Sequence, residues 1–232
     1  VSLEITDVIF LPNDNDSVII QKQSEPTSTN YPVIGDGKTE NYTVQELIIE
    51  TGANLLIKES GKLTTTSDFV NNDTVTVENG TLTTNNLTNA GTINITGESG
   101  RLTTTGDFVN NDTVTVQSGT LKFASYSTVN GSDKIKINAG TLEYEGENQI
   151  TISDISITSS GTIKSIADML QSPDAAIEIN KAQYVDDGDM VPTVTTYGTV
   201  TMPVGELNRL SVASGTLTLQ DESYSTLEVD NL

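Results

Sequence analysis

Fifteen residues return almost letter for letter 39 positions further on: LTTTSDFVNNDTVTV at Leu63 to Val77 recurs as LTTTGDFVNNDTVTV at Leu102 to Val116, changed only at Ser67/Gly106. Between the copies, LTTNNLTNAGTINIT at Leu82 to Thr96 repeats the same grammar in other letters, so the physical unit is about half of 39. A period near 20 is the mark of a solenoid, in which one repeat forms one coil.

The punctuation sets the register. Glycines precede β-like runs at Gly61, Gly80, Gly100, Gly119, Gly140 and Gly161, and asparagines precede others at Asn71, Asn89, Asn110 and Asn130. Apolar residues fall on every second position within the runs, as in Leu82, then Ile93 and Ile95, then Leu102, then Val114 and Val116. Period two means strand, with Thr, Asn, Lys and Glu on the watered face. Two short strands and two turns are therefore expected in every 20 residues. Residues 47–163 lack 3.6-residue stripes and are rich in Thr and Asn, which excludes a helical repeat.

A 20-residue unit of this kind cannot bury its own inner face, whereas a stack can. The expected fold is all-β: a right-handed parallel β-helix of about 20 residues per coil, with its hand taken from the general preference of parallel crossovers. In such a stack Asp73 and Asp112 fall two coils apart with Gly91 between them, which keeps like charges off neighbouring strands. Asn71, Asn89, Asn110 and Asn130 read either as an amide ladder or as the lining of a ligand groove.

Along the chain, residues 1–46 read as a first coil plus a capping loop, with strand-like Leu3 to Phe10 and Asp16 to Gln21. Residues 47–165 read as regular coils. The pattern breaks at 166–197, an irregular excursion with a helix-like opening at Ile166, Met169 and Leu170. Strands resume over 198–232, and the alternation at Leu227 and Val229 suggests a segment of something longer. Loops thrown from a solenoid commonly carry its binding, which points to the excursion.

DSVII at Asp16, NYPVI at Asn30, VQELIIETGANLLI at Val44, DFVNNDTVTV and GTLTT resemble the β-solenoid repeats of large secreted surface proteins of the Bacteroidota. Those are cell-surface and gliding-type adhesins exported by the type IX secretion system. The architecture also looks like that of filamentous-haemagglutinin-type adhesins. The resemblance covers roughly residues 16–165 and 198–229. It implies an extracellular, bacterial cell-surface location and a spacer, adhesive or filament-building role, and it transfers no catalytic residue. The partners it implies are further copies of a surface filament, with surface glycans as an alternative.

Composition narrows the chemistry. With 32 acidic and 11 basic residues the net charge is −21, and no basic cluster offsets it, so neither nucleic acid nor an anionic membrane is an expected partner. No apolar run is long enough to cross a bilayer, and residues 1–20 do not read as a signal peptide. There is no Cys and no His, which removes thiol nucleophiles, disulfides and the commonest general base.

Parallel β-helices also host polysaccharide-active enzymes, which here would have to rely on carboxylates such as Glu143 with Glu145. No cation is evident in sequence beside them, and the reading is that the chain is not an enzyme. Calcium is the one cofactor that suggests itself. Asp14 and Asp16 in NDNDS, and Asp186, Asp187 and Asp189 in DDGD, place alternating oxygens in a turn, as either a calcium site or a plain Asx turn would. Tyr126, Tyr184 and Tyr197 are the aromatics available for sugar stacking. Thr64, Thr66, Thr103 and Thr105 form Thr-x-Thr rows of the kind that order water on ice-binding solenoids.

Overall fold

The computed structural model describes residues 12–22, 32–124, 128–131, 134–145, 149–152, 155–158, 161–165, 176–179, 182–185, 193–196, 199–203, 209–212 and 216–220. Among them the regular structure is all strand, and each strand pairs in parallel with those one coil away. The chain is a parallel β-solenoid.

Among the described residues the coils between Asn41 and Val185 have three faces where two strands were expected, and those that begin at Thr193 and Arg209 show strands on two. In the coil of residues 81–96, Thr81–Asn89 turns a corner half-way. Its first part pairs with Arg101–Thr104 and its last part with Phe108–Asn110, while Thr92–Thr96 pairs with Val114–Val116. The corner carries neither Gly nor Pro in this coil, so it does not interrupt the β-like run. Its trace is a pair of half-buried polar residues, Asn85 and Asn86, between inward Thr84 and inward Leu87. In the coil below, Thr66, Ser67 and Asp68 make the same bend, and the register shifts between Thr65 and Asp68.

The register is continuous along the first face. Asn41, Lys62, Thr81, Arg101, Thr120, Thr141 and Thr162 lie one over the next at intervals of 19 to 21 residues. Thr193 and Arg209 continue the column. Ala176–Ile179, Ala182–Val185 and Thr193–Thr196 fall inside the span read as an excursion, and they pair in register as rungs of the stack. The helix-like opening at Ile166, Met169 and Leu170 lies outside the described residues.

Six inward columns, two per face, make the core. Leu63, Leu82, Leu102, Leu121 and Leu142 stack on the first face, and Val75, Ile93, Val114 and Ile135 on the third, all buried. Each fully buried aliphatic side chain contributes about 1.5–3 kcal/mol. Volumes compensate between columns. Thr65 and Thr104 sit in the coils that carry Phe69 and Phe108, whereas the coil that carries Phe123 has the smaller Val129. Phe108 and Phe123 meet with ring centroids 5.2 Å apart.

The corner between third and first faces is built from the glycines that mark the repeat. Gly61, Gly80, Gly100, Gly119 and Gly140 each offer a carbonyl to the amide of the residue after the next coil's glycine: Thr81, Arg101, Thr120, Thr141 and Thr162, at 2.8–2.9 Å. Coils approach so closely there that a Cβ on Gly119 would lie 2.2 Å from the Gly100 carbonyl oxygen. Glycine is retained for close backbone approach.

Candidate functional site

The asparagine column is the most ordered polar feature of the interior. Asn71, Asn89 and Asn110 stand in register on the second face and are buried. Asn71 Nδ2 donates to Asn89 Oδ1 at 2.7 Å, and Asn89 Nδ2 donates to Asn110 Oδ1 at 2.8 Å. The first two amides also serve a turn: Asp73 N donates to Asn71 Oδ1 and Gly91 N to Asn89 Oδ1. With both ends of these amides satisfied inside the stack, the column is an amide ladder and does not line a groove.

Asn130 does not extend it. It pairs with Val109 and is exposed, while Gly131 takes the rung over Asn110. Gly131 has φ of 112°, and a Cβ there would meet the Asn110 carbonyl oxygen at 1.9 Å, so no side chain fits. The turn after the ladder alternates as expected: Gly91 stacks on Asp73, with its Cβ position 2.1 Å from the Asp73 carbonyl oxygen. The Asp73 carboxylate accepts from Gly52 N on the other side, at 2.6 Å.

Of the five acidic metal candidates, Asp14 and Asp16 fall among the described residues. Asn13 donates through both its backbone N and its Nδ2 to Asp16 Oδ2, each at 2.8 Å, and Asn15 Nδ2 donates to Asp14 Oδ1 at 3.0 Å. Asp16 N closes the turn on the Asn13 carbonyl. Asn15 N donates to Asn13 Oδ1 at 3.0 Å, the bond of an Asx turn centred on Asn13, and protein N–H groups occupy one oxygen of each carboxylate. Among the described residues no three Asp, Glu, His or Cys side chains gather as a metal would need. Asp186, Asp187 and Asp189 lie outside the described residues.

Glu143 and Glu145 are not the unaccompanied carboxylates that the sequence suggests. Lys122 Nζ lies 3.1 Å from Glu143 Oε1 and also contacts Glu145, and Arg101 Nη2 reaches Glu143 Oε1 at 3.3 Å. Lys122 and Glu143 are 21 residues apart, one coil, and occupy one column. That spacing was the signal for the pair. Arg101 and Lys122 converge on Glu143 while Lys122 also engages Glu145, an arrangement suited to tying three coils together.

The Thr-x-Thr rows are broken by the corner. Thr64 and Thr103 face outward in one column with Thr83, but Thr66 and Thr105 sit on the bend, where their hydroxyls turn back to the carbonyls of Val44 and Thr84. Lys62 and Arg101 interrupt the neighbouring column. No flat threonine lattice results on that face. Tyr184 falls in register with Ile157, and Tyr126 and Tyr197 lie outside the described residues.

At the first coils the core opens into an apolar hollow of about 230 Å³ lined by Val18, Ile20, Ile34, Tyr42, Val44 and their neighbours. Among the described residues its lining carries no carboxylate and no cation. The chain matches no family model, no curated protein and no solved structure.

Proposed function

We propose that the chain is a structural rod: an extracellular shaft or filament-building segment of a bacterial cell-surface protein of the adhesin type. The observation that carries the reading is the continuity of the stack. The inward columns, the glycine corner and the interlocked asparagines run from coil to coil, while the outer faces are largely polar and Thr-rich apart from the second-face column of Ile48, Val70 and Val109. Such a design spends its regular sequence on length and on a hydrated surface. The ordered polar clusters are satisfied by neighbouring coils, as expected of structural supports. The extracellular setting and the adhesin character rest on the resemblance of the repeats.

The rod is tested by lengthening it. A tandem copy of residues 81–119 inserted after Gly119 reproduces interfaces already present and adds two rungs, about 10 Å at about 4.8 Å each. Small-angle scattering of chains with one, two and three added units is expected to show the maximum dimension growing by that step with an unchanged cross-section. A growing cross-section would overturn the rod. Accessibility of the chain to antibody on intact source cells tests the location.

A further inference from the structure

Over the coils between residues 46 and 124 the first and second outer faces differ in sign, although the molecule as a whole is strongly acidic. On the first face, the outward positions between residues 62 and 124 carry Lys62, Arg101 and Lys122 and no carboxylate. Further along the same face the register places Glu143 between Lys122 and Lys164, with Glu145 beside it and Arg209 beyond, so the face is purely cationic only below residue 124. On the second face, Glu46, Asp68 and Asp107 occur between residues 46 and 110 without a cation. Asp68 and Asp107 are exposed, and beside them runs an outward apolar column of Ile48, Val70 and Val109, interrupted at Thr88.

The two charge patterns share a pitch. Lys62 and Arg101 are two coils apart with Thr81 between, and Asp68 and Asp107 are two coils apart with Asn86 between. Both pitches follow from the 39-residue repeat, so both equal two rungs, about 10 Å. Lys62 is exposed and Arg101 is more than one-third exposed while held by Glu143. A two-rung row of cations with threonines thus matches a two-rung row of carboxylates with valines.

We propose that these faces are a lateral interface between copies of this chain, the first face of one rod lying against the second face of the next. The contact joins different surfaces, so it does not close on itself and propagates into a bundle or sheet of rods. Each exposed ion pair is weak, and the matched pitch lets the Lys62 and Arg101 contacts act together against Asp68 and Asp107. The net charge of −21 per copy opposes approach at low ionic strength. Association is therefore strongest near physiological salt, where the Debye length is about 8 Å, and is lost near 1 M.

The inference rests on the rod reading, and the experiment separates the two. Sedimentation velocity of the full chain is run at low, physiological and 1 M NaCl, with Lys62→Glu and Asp68→Lys as variants on exposed positions and small-angle scattering as the check of shape. The expected result is association of the wild type at physiological salt, weakened at least threefold in each variant and restored in their equimolar mixture. In that mixture the first face of the Lys62→Glu chain meets the second face of the Asp68→Lys chain with both charges exchanged, while the native Lys62–Asp68 pair forms at the opposite contact. Elongated particles that stay single at every salt concentration, or a mixture without rescue, overturn the lateral interface and leave the rod standing. Loss of the elongated shape in the wild type overturns the rod itself.

Discussion

Replacing Asn89 by alanine removes the middle of the amide ladder. The change deletes the acceptor of Asn71 Nδ2 at 2.7 Å, the donor to Asn110 Oδ1 at 2.8 Å and the acceptor of Gly91 N at 3.4 Å, all within the buried interior. A net hydrogen bond is worth about 0.5–1.5 kcal/mol, and a buried polar group deprived of its partner costs about 1–3 kcal/mol. Asn71 Nδ2 keeps the carbonyls of Asp73 and Thr92, which limits the damage on that side. The expected cost is about 3–4 kcal/mol. Asn130→Ala is the matched control, because Asn130 follows a similar sequence pattern but is exposed and off the column. It should cost under about 0.5 kcal/mol, as surface substitutions do. Urea titrations followed by circular dichroism give both values from the shift in midpoint at constant slope. A loss below about 1 kcal/mol for Asn89→Ala, or an equal loss for Asn130→Ala, would refute the ladder as a source of stability.

Three further outcomes are expected. The Thr84 hydroxyl is buried with no hydrogen-bond partner, so Thr84→Val, of nearly the same shape, should stabilise the protein by about 1 kcal/mol, read as a higher urea midpoint. Gly119→Ala forces a Cβ to within 2.2 Å of the Gly100 carbonyl oxygen and 2.7 Å of Ile95 Cγ2, and should cost about 1–3 kcal/mol in the same titration. Deleting residues 81–119 joins Gly80 to Thr120 and preserves the inward contacts of that junction, so the chain should fold. Deleting residues 81–100 instead sets Asp112 over Asp73, where no Cβ fits, and should abolish cooperative unfolding. Calorimetry of the two deletions decides whether the unit of construction is two coils.

Much of this architecture was legible in the residues. The glycine spacing located a corner of the coil, the period-two apolar pattern located the inward columns, and the Asp73–Gly91–Asp112 alternation anticipated the stacked turn. The third face was not legible as a separate strand, because the bend at Thr66–Asp68 or Asn85–Asn86 is made by ordinary polar residues with no breaker. The fourth asparagine misled for a related reason. A one-residue shift in the coil of residues 120–137 puts Gly131 under the constraint that the pattern assigned to Asn130. The cations beside Glu143 were hidden only by distance in sequence, since Lys122 and Arg101 are one and two coils away. Once the coil length is known, residues about 20 and 40 positions apart become neighbours, and the ion pairs and the face charges can be read directly.

Paired cysteines test the three-faced register most directly, because the chain has none of its own. Three double variants, Thr83→Cys with Thr103→Cys, Thr88→Cys with Val109→Cys, and Asn94→Cys with Thr115→Cys, each place two thiols in register on outward positions of a different face. Neighbouring strands lie about 4.8 Å apart, within the Cα separation of about 4.4–6.8 Å that a disulfide spans. All three pairs are expected to oxidise within one chain, while Thr83→Cys with Asn94→Cys, on different faces, stays reduced. Failure of any one face to cross-link, with the mismatched control oxidising as readily, would contradict the stacked three-sided coil.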